Sequence, residues 1–282
     1  MNDREKMWSE IGGPWDVLIV GADIVGVGLL REIANVGLRA LLVEAHDFSS
    51  GTSSRSSKMV HGGLRYLSTG QIKLTMESVH ERQRLLHQGR GLIDPLEILL
   101  VSYKGDRPPA WIFGVGLMIY DTLAMKWNHE RESVDDVELL CPAVERDKLA
   151  GGFRFFDAQT DDSRMVLRVL QEGVRAGGKA LNYARAEGLL RGRNGRVCGA
   201  QIRDEVTGRT AEAQAAVVVN ATGAWADELR GMVDKKPRLR QLRGSHLIFP
   251  HGKLPVNKSI SFLHPEDRRP VFAFPWEGVT LV

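Results

Sequence analysis

Gly21, Asp23 and Gly26 stand at the spacing of a G-x-G-x-x-G phosphate loop, with aspartate at the central glycine position. Gly21 would make a tight turn, and Gly26 would let a helix pack closely on the preceding strand. The free N–H groups at that helix's N-terminus would then face two phosphates. Glu44 follows 18 residues after Gly26, where a carboxylate can accept hydrogen bonds from a ribose. This is the pattern of a dinucleotide site. Asp23 departs from it by adding a side chain and a negative charge where the backbone should approach a pyrophosphate. That change predicts weaker binding of the original ligand rather than a different ligand.

A second chemical stretch follows directly, DFSSGTSSRSSKMVHGGLRYL at residues 47–67. Its hydroxyls (Thr52, Ser53, Ser54 and Ser57), with Arg55 and Lys58, come just after the ribose position. They can line a phosphate or a sugar chain, or form only a solvated connection. Gly62 and Gly63 would permit close approach to a flat ring. Further on, Asn220-Ala221-Thr222-Gly223 ends an apolar run and offers another turn to a cofactor.

Local signals define the elements that must hold these residues. Residues 16–20 (DVLIV) read as a buried strand, 24–36 as a helix stopped by Gly37, and 39–44 as the next strand. Residues 71–87 have helical apolar spacing at Ile72, Met76, Val79 and Leu86. Residues 88–110 read as irregular, and 110–127 as a helix. A helix over 161–177 is opened by Asp161 and closed by Gly177. Residues 185–216 read as an antiparallel meander, with turns at Asn194-Gly195 and Thr207-Gly208. Residues 217–219 read as a final buried strand. The class is α/β with an antiparallel insert.

Composition narrows the possibilities. The chain has 282 residues, 43% of them hydrophobic, which supports a substantial core. A formal charge of +3, with no basic run interleaved with aromatics, argues against nucleic acid as a partner. Cys141 and Cys198 form no disulfide framework and no metal-ligand spacing, which suits a reducing, cytoplasmic setting. The polar first 15 residues lack the apolar core of a signal peptide, and no apolar run has the length of a spanning helix.

The run GTSSRSSKMVHGGLRYL closely resembles the FAD-dependent, quinone-linked glycerol-3-phosphate dehydrogenases, members of the D-amino-acid-oxidase-like flavoprotein superfamily. RPPAW at 107–111, DAQTDDSR at 157–164, VNATGAWAD at 219–227, RGSHLIFP at 243–250 and VFAFPWEG at 271–278 extend the resemblance along the chain. It implies FAD as the cofactor. Thr52, Ser53, Ser54, Ser57 and Lys58 would lie along it, His61, Gly62, Gly63 and Leu64 near the flavin ring, and Thr222 and Gly223 against it. Arg65 and Tyr66 would face the substrate, and His246 would point into the substrate pocket. Glycerol 3-phosphate is a small dianion, and an arginine fork matches phosphate. Arg65 would either anchor it or stabilise a developing alkoxide. A histidine can accept the proton released at C2, although His246 also suits a hydrogen-bonded structural role.

The fold implied is a Rossmann-like FAD-binding domain, discontinuous over residues 1–90 and 151–234, with an antiparallel β meander. Residues 91–150 and 235–282 would form a partial α+β substrate-side domain. The resemblance implies a longer protein, with further arginines, a glycine-rich run against the flavin and a C-terminal helical domain beyond Val282, which falls within the strand-like VTLV. Electrons would pass to a membrane quinone. The apolar 110–127 segment, followed by Lys126, Trp127, His129 and Arg131, would either lie in a membrane interface at the inner face of the plasma membrane or serve as a core helix. A homo-oligomer is admitted. Two rival readings are an amine or amino-acid oxidase of the same superfamily and a non-catalytic piece of the family that retains nucleotide binding.

Overall fold

After a short N-terminal helix come an apolar strand, a glycine turn and an amphipathic helix, these three formed where their local signals lie. The computed structural model describes residues 3–234 and 236–282, the side chains of Asp3, Arg65 and Ser68 excepted. In chain order the first elements are α1 (Asp3–Glu10), β1 (Pro14–Val20), α2 (Ile24–Asn35), β2 (Ala40–Val43), β3 (Met59–Val60), α3 (Leu64–Ser68), α4 (Ile72–Gln88) and β4 (Ile93–Tyr103). Then come α5 (Ala110–Ala124), β5 (Glu130–Glu132), α6 (Val134–Leu140), β6 (Leu149–Thr160), α7 (Asp162–Arg175), β7 (Lys179–Leu181), β8 (Ala184–Arg191), β9 (Val197–Asp204) and β10 (Thr210–Asn220). The last are α8 (Ala226–Arg230), β11 (Ile248–Pro250), β12 (Ser259–Leu263), β13 (Pro270–Trp276) and β14 (Val279–Leu281).

The described chain divides into two compact units, residues 1–56 with 161–243, and residues 57–160 with 244–282. The domain limits read from the sequence, at 90/91 and 150/151, fall inside the second unit. The reason is strand pairing: β4 and β6 run antiparallel from Ile93↔Thr160 to Tyr103↔Leu149, which ties residues 91–150 to the segments on either side.

The first unit holds a sheet in the order β7-β2-β1-β10-β9-β8. The pairs β7–β2, β2–β1 and β1–β10 are parallel, and β9 and β8 are the antiparallel meander. Side chains alternate across it. Leu18 and Leu41 face a core containing Trp8 of α1 and Ile11 just after it, while Ile19 and Leu42 face α2 and α7 through Val27, Leu30, Val166 and Leu170. Burying one such leucine contributes about 2 kcal/mol. The helix stops are as expected. Gly37 has φ 80° and Gly177 φ 105°, and Asp161 Oδ1 caps α7 by accepting the Arg164 N–H at 3.1 Å. The last strand differs from expectation: β10 is continuous from residue 210, and Val217 is exposed rather than buried.

The second unit holds a sheet in the order β11-β14-β13-β12-β4-β6-β3, with β5 paired to β6. Residues 88–110 are therefore not irregular, since they contain the 11-residue β4. Pro95 is accommodated because β12 pairs only with residues 98–100, which leaves the proline's missing donor without a ladder to break. β14 is flanked on both sides, by β13 and β11, so the strand-like VTLV leaves no open edge of its own. α5 packs Phe113 and Leu117 against Ile98, Phe153 and Phe155. α4 is rotated relative to its apolar spacing: Thr75, Val79 and Arg82 are buried, while Ile72 and Met76 are exposed. A buried arginine inverts the hydropathy rule, and periodicity misplaces the face for that reason.

Candidate functional site

In the first unit the turn after β1 is built by contact as well as by conformation. Gly21 has φ 108°, and a Cβ there would lie 2.5 Å from the Ala221 carbonyl oxygen. A Cβ on Gly26 would overlap the carbonyl oxygen of Gly21, so only glycine lets α2 sit on the turn. The 219–223 segment thus meets the phosphate-loop turn directly: the Ala221 N–H donates to the Val20 carbonyl at 2.8 Å. Thr222 Oγ1 donates to Asn220 Oδ1 at 2.7 Å.

Asp23 has φ −78° and ψ −178°, extended backbone that needs no glycine. Its carboxylate does not cap α2. It turns to the following loop, where Oδ1 accepts the Gly51 N–H and Oδ2 the Ser53 N–H, both at 3.3 Å. Ser53 Oγ in turn accepts the Ile24 N–H at 3.1 Å, taking one free donor of α2. A Cβ on Gly51 would lie 2.5 Å from Asp23 Oδ2, so a side chain there would push that carboxylate aside. Glu44 directly follows β2, with Oε2 accepting the Ala22 N–H and Oε1 the His46 N–H, each at 2.9 Å.

Around these groups lies a cavity of about 480 Å³, lined by Gly21, Asp23, Glu44, Gly51, Arg55 and Thr222 among others. Thr52 is exposed, and neither Ser53, Ser54 nor Gly223 lines it. His46, Arg185, Trp225 and Glu228 do line it and were not read from the sequence. Arg185 arrives because the Ala184 N–H donates to the Glu44 carbonyl at 2.7 Å, joining the start of β8 to the end of β2. No local pattern announces that approach. Trp225 and Glu228 follow the 220–223 turn and could have been found as its continuation.

In the second unit, Ser57, His61, Leu64 and Tyr66 line a cavity of about 790 Å³, closed by apolar residues of α5 and of the sheet. The His61 and Tyr66 rings lie 6.1 Å apart between centroids. Gly63 has φ 80° and opens α3. Gly62 is buried, and a Cβ on it would overlap the Tyr120 hydroxyl and lie 2.6 Å from Val79 Cγ2. The protein's own packing thus already demands glycine at 62. Lys58, at φ 58°, places its ammonium 5.1 Å from the Trp276 ring centroid and does not line the cavity. Arg65 falls in α3, and its side chain lies outside the described residues. His246 lies exposed in the coil before β11 and is not brought into the cavity.

A family model described as FAD dependent oxidoreductase matches residues 16–282. The chain belongs to this family. Aerobic glycerol-3-phosphate dehydrogenase of Staphylococcus epidermidis is 35% identical over 273 residues, which are 95% of this chain and 49% of that protein. The Bacillus subtilis protein of the same name is 35% identical over 286 residues, 99% of this chain and 51% of that one. This FAD dependent oxidoreductase therefore spans about half the length of the curated relatives it matches. A glycerol-3-phosphate dehydrogenase from Bacillus halodurans, solved in complex with FAD, has a TM-score of 0.77 and 27% identity, over 99% of this chain and 49% of that one.

FAD is the cofactor of the family, and the first unit suits its dinucleotide part. The glycine cradle at 21 and 26 has no room for Cβ atoms, and the cavity joins that turn to the Glu44 carboxylate. Asp23 is the one misfit, and the structure gives it a partner in the 51–53 loop.

Proposed function

We propose that this chain carries the FAD-binding region and part of the substrate side of a glycerol-3-phosphate dehydrogenase. The reaction is oxidation of sn-glycerol 3-phosphate to dihydroxyacetone phosphate, with electrons passed on to a quinone. What carries the reading is that the match to aerobic glycerol-3-phosphate dehydrogenases runs through both compact units rather than the nucleotide unit alone. When bound, the flavin supplies a two-electron acceptor for hydride. Gly21, Gly26 and Thr222 cradle the pyrophosphate side, with Asp23 beside it and Glu44 at the ribose. Thr52, Ser53, Ser54, Ser57, Lys58 and Gly223 run along the cofactor, and His61, Gly62, Gly63 and Leu64 lie near its ring. Arg65 and Tyr66 face the phosphorylated polyol; His246, exposed before β11, would have to turn toward the substrate to accept the proton.

Membrane contact belongs to the same reading. α5 buries Leu117, Tyr120 and Ala124 but exposes Trp111 and Met118, with Met125 and Trp127 exposed just beyond it. It is a core helix on one face and an apolar surface on the other, suited to an interface where a quinone is met. No helix among the described residues is long and apolar enough to cross a membrane.

The test is FAD addition to the purified chain, followed by turnover with an artificial acceptor on glycerol 3-phosphate and on amino acids. A flavin spectrum that persists after gel filtration, bleached by glycerol 3-phosphate alone, supports the reading. Bleaching by an amino acid instead moves the chain to the amine-oxidase side of the family. A chain that stays colourless is not a flavoprotein by itself.

A further inference from the structure

Behind the Gly62–Gly63 turn sits a polar trio that stability does not call for. Arg82 comes from α4, Tyr120 from α5 and Asp157 from β6, and they are 8%, 1% and 5% exposed. Asp157 Oδ1 accepts from the Tyr120 hydroxyl at 2.6 Å, from the Gly62 N–H at 3.1 Å, and from Arg82 Nη1. Arg82 Nη1 also donates to the Tyr120 hydroxyl oxygen at 2.9 Å and to the Phe156 carbonyl at 3.0 Å, while Arg82 Nε has no partner among the described residues. Burial, with the Asp157 charge adding to it, pushes the Tyr120 phenol far above its ordinary range, so it stays a neutral donor. A buried ion pair of this kind commonly contributes no more to stability than apolar residues of the same volume. It does fix geometry, because three elements are forced to meet at one oxygen. That oxygen holds the backbone of the turn, and the Tyr120 hydroxyl fills the space a side chain at 62 would need.

We propose that Arg82, Tyr120 and Asp157 are positioning residues that set the shape of the His61–Gly63 turn from behind, and through it the surface offered to the flavin ring. The second half rests on the proposed placement of that turn beside the flavin. Asp157 also lines the same cavity as His61 and Tyr66, so a shift in the trio moves the wall facing the substrate side as well.

The experiment uses the full chain with Tyr120→Phe, which keeps the ring and removes the hydroxyl, and with Asp157→Asn, which keeps the volume. Amide hydrogen exchange is followed over residues 59–67, and binding of FAD and of ADP is measured side by side. The expected result is about tenfold faster exchange across 61–64 in each variant, the loss of roughly one buried hydrogen bond, with exchange in β1 and α2 unchanged. FAD binding weakens by a similar factor and the absorbance bands of the bound flavin move, while ADP, which uses only the first unit's cavity, binds as before. Unchanged exchange at 61–64 in both variants overturns the proposal, as does equal acceleration throughout the chain. Faster exchange at the turn, with FAD and ADP bound equally well in wild type and variants, leaves the positioning role standing and refutes the placement beside the flavin.

Discussion

Replacing Asp23 separates two effects that the structure sets against each other. Asp23→Asn keeps the shape and one acceptor oxygen but removes the charge, and Asp23→Gly removes both. The carboxylate holds the Gly51 and Ser53 N–H groups, each at a long 3.3 Å, so each bond contributes about 1 kcal/mol to the order of that loop. Against this stands repulsion toward a phosphate at the N-terminus of α2. Two unit charges about 6 Å apart at an effective dielectric of about 20 repel by about 3 kcal/mol. Asp23 is half-buried, and salt roughly halves that term, leaving about 1.5 kcal/mol, or roughly tenfold in Kd. The Asn variant keeps one of the two loop bonds, so the net gain is smaller and it should bind FAD a few-fold more tightly than wild type, with a larger gain at low salt. The Gly variant gains the same electrostatic term but loses both loop bonds, about 2 kcal/mol together, so the two nearly cancel and its affinity should stay within a few-fold of wild type. It should also melt at a lower temperature. Quenching of flavin fluorescence at two salt concentrations gives the affinities, and a thermal melt gives the stability. An Asn variant that binds FAD no better than wild type would refute the electrostatic argument, and a Gly variant with an unchanged melt would refute the role of Asp23 in the loop.

Two further outcomes follow from other parts of the first unit. Burial alone would raise the Asp204 carboxyl, but hydrogen bonds from Arg4, Thr207 and the Val206 N–H outweigh it and bring it down to about 2. Its side chain is fully buried, so the ionised form contributes about 2 kcal/mol of stability, present above about pH 4 and lost as pH falls through about 2. Urea midpoints measured from pH 5 to pH 2 should show that loss and should lose most of it in Asp204→Asn; identical profiles would remove Asp204 from the account. Gly26→Ala should destabilise the first unit by about 3 kcal/mol or more and abolish ADP binding, because the added Cβ overlaps backbone at Gly21 rather than a movable side chain. Retained ADP affinity, measured by calorimetry, would show that α2 can shift without cost.

What the sequence determined by itself was local. The turn after β1, the stop at Gly37, the Asp161 cap and the hairpin turns at Gly195 and Gly208 all depend on φ preferences or on hydrogen bonds between residues three or four apart. Those constraints act before the chain has any global shape, so they can be read in order along it. The cofactor class was legible for the same reason, since glycine spacing and Glu44 occupy one strand–helix–strand unit. Tertiary structure decided where that logic changed meaning. The pairing of β4 with β6 moved the unit boundaries to 56/57 and 160/161, joining segments whose strand character was masked by Pro95 and by distance. The approach of β8 to Glu44 brought Arg185 to the cavity. Asp23, a flaw in a motif when read alone, became the anchor of a loop some thirty residues away. Gly62, read as clearance for a flat ring, proved to be clearance for Tyr120 first. In each case the deciding contact joins residues far apart in the chain, and side-chain space and hydrogen bonds between such residues exist only once the strands have paired.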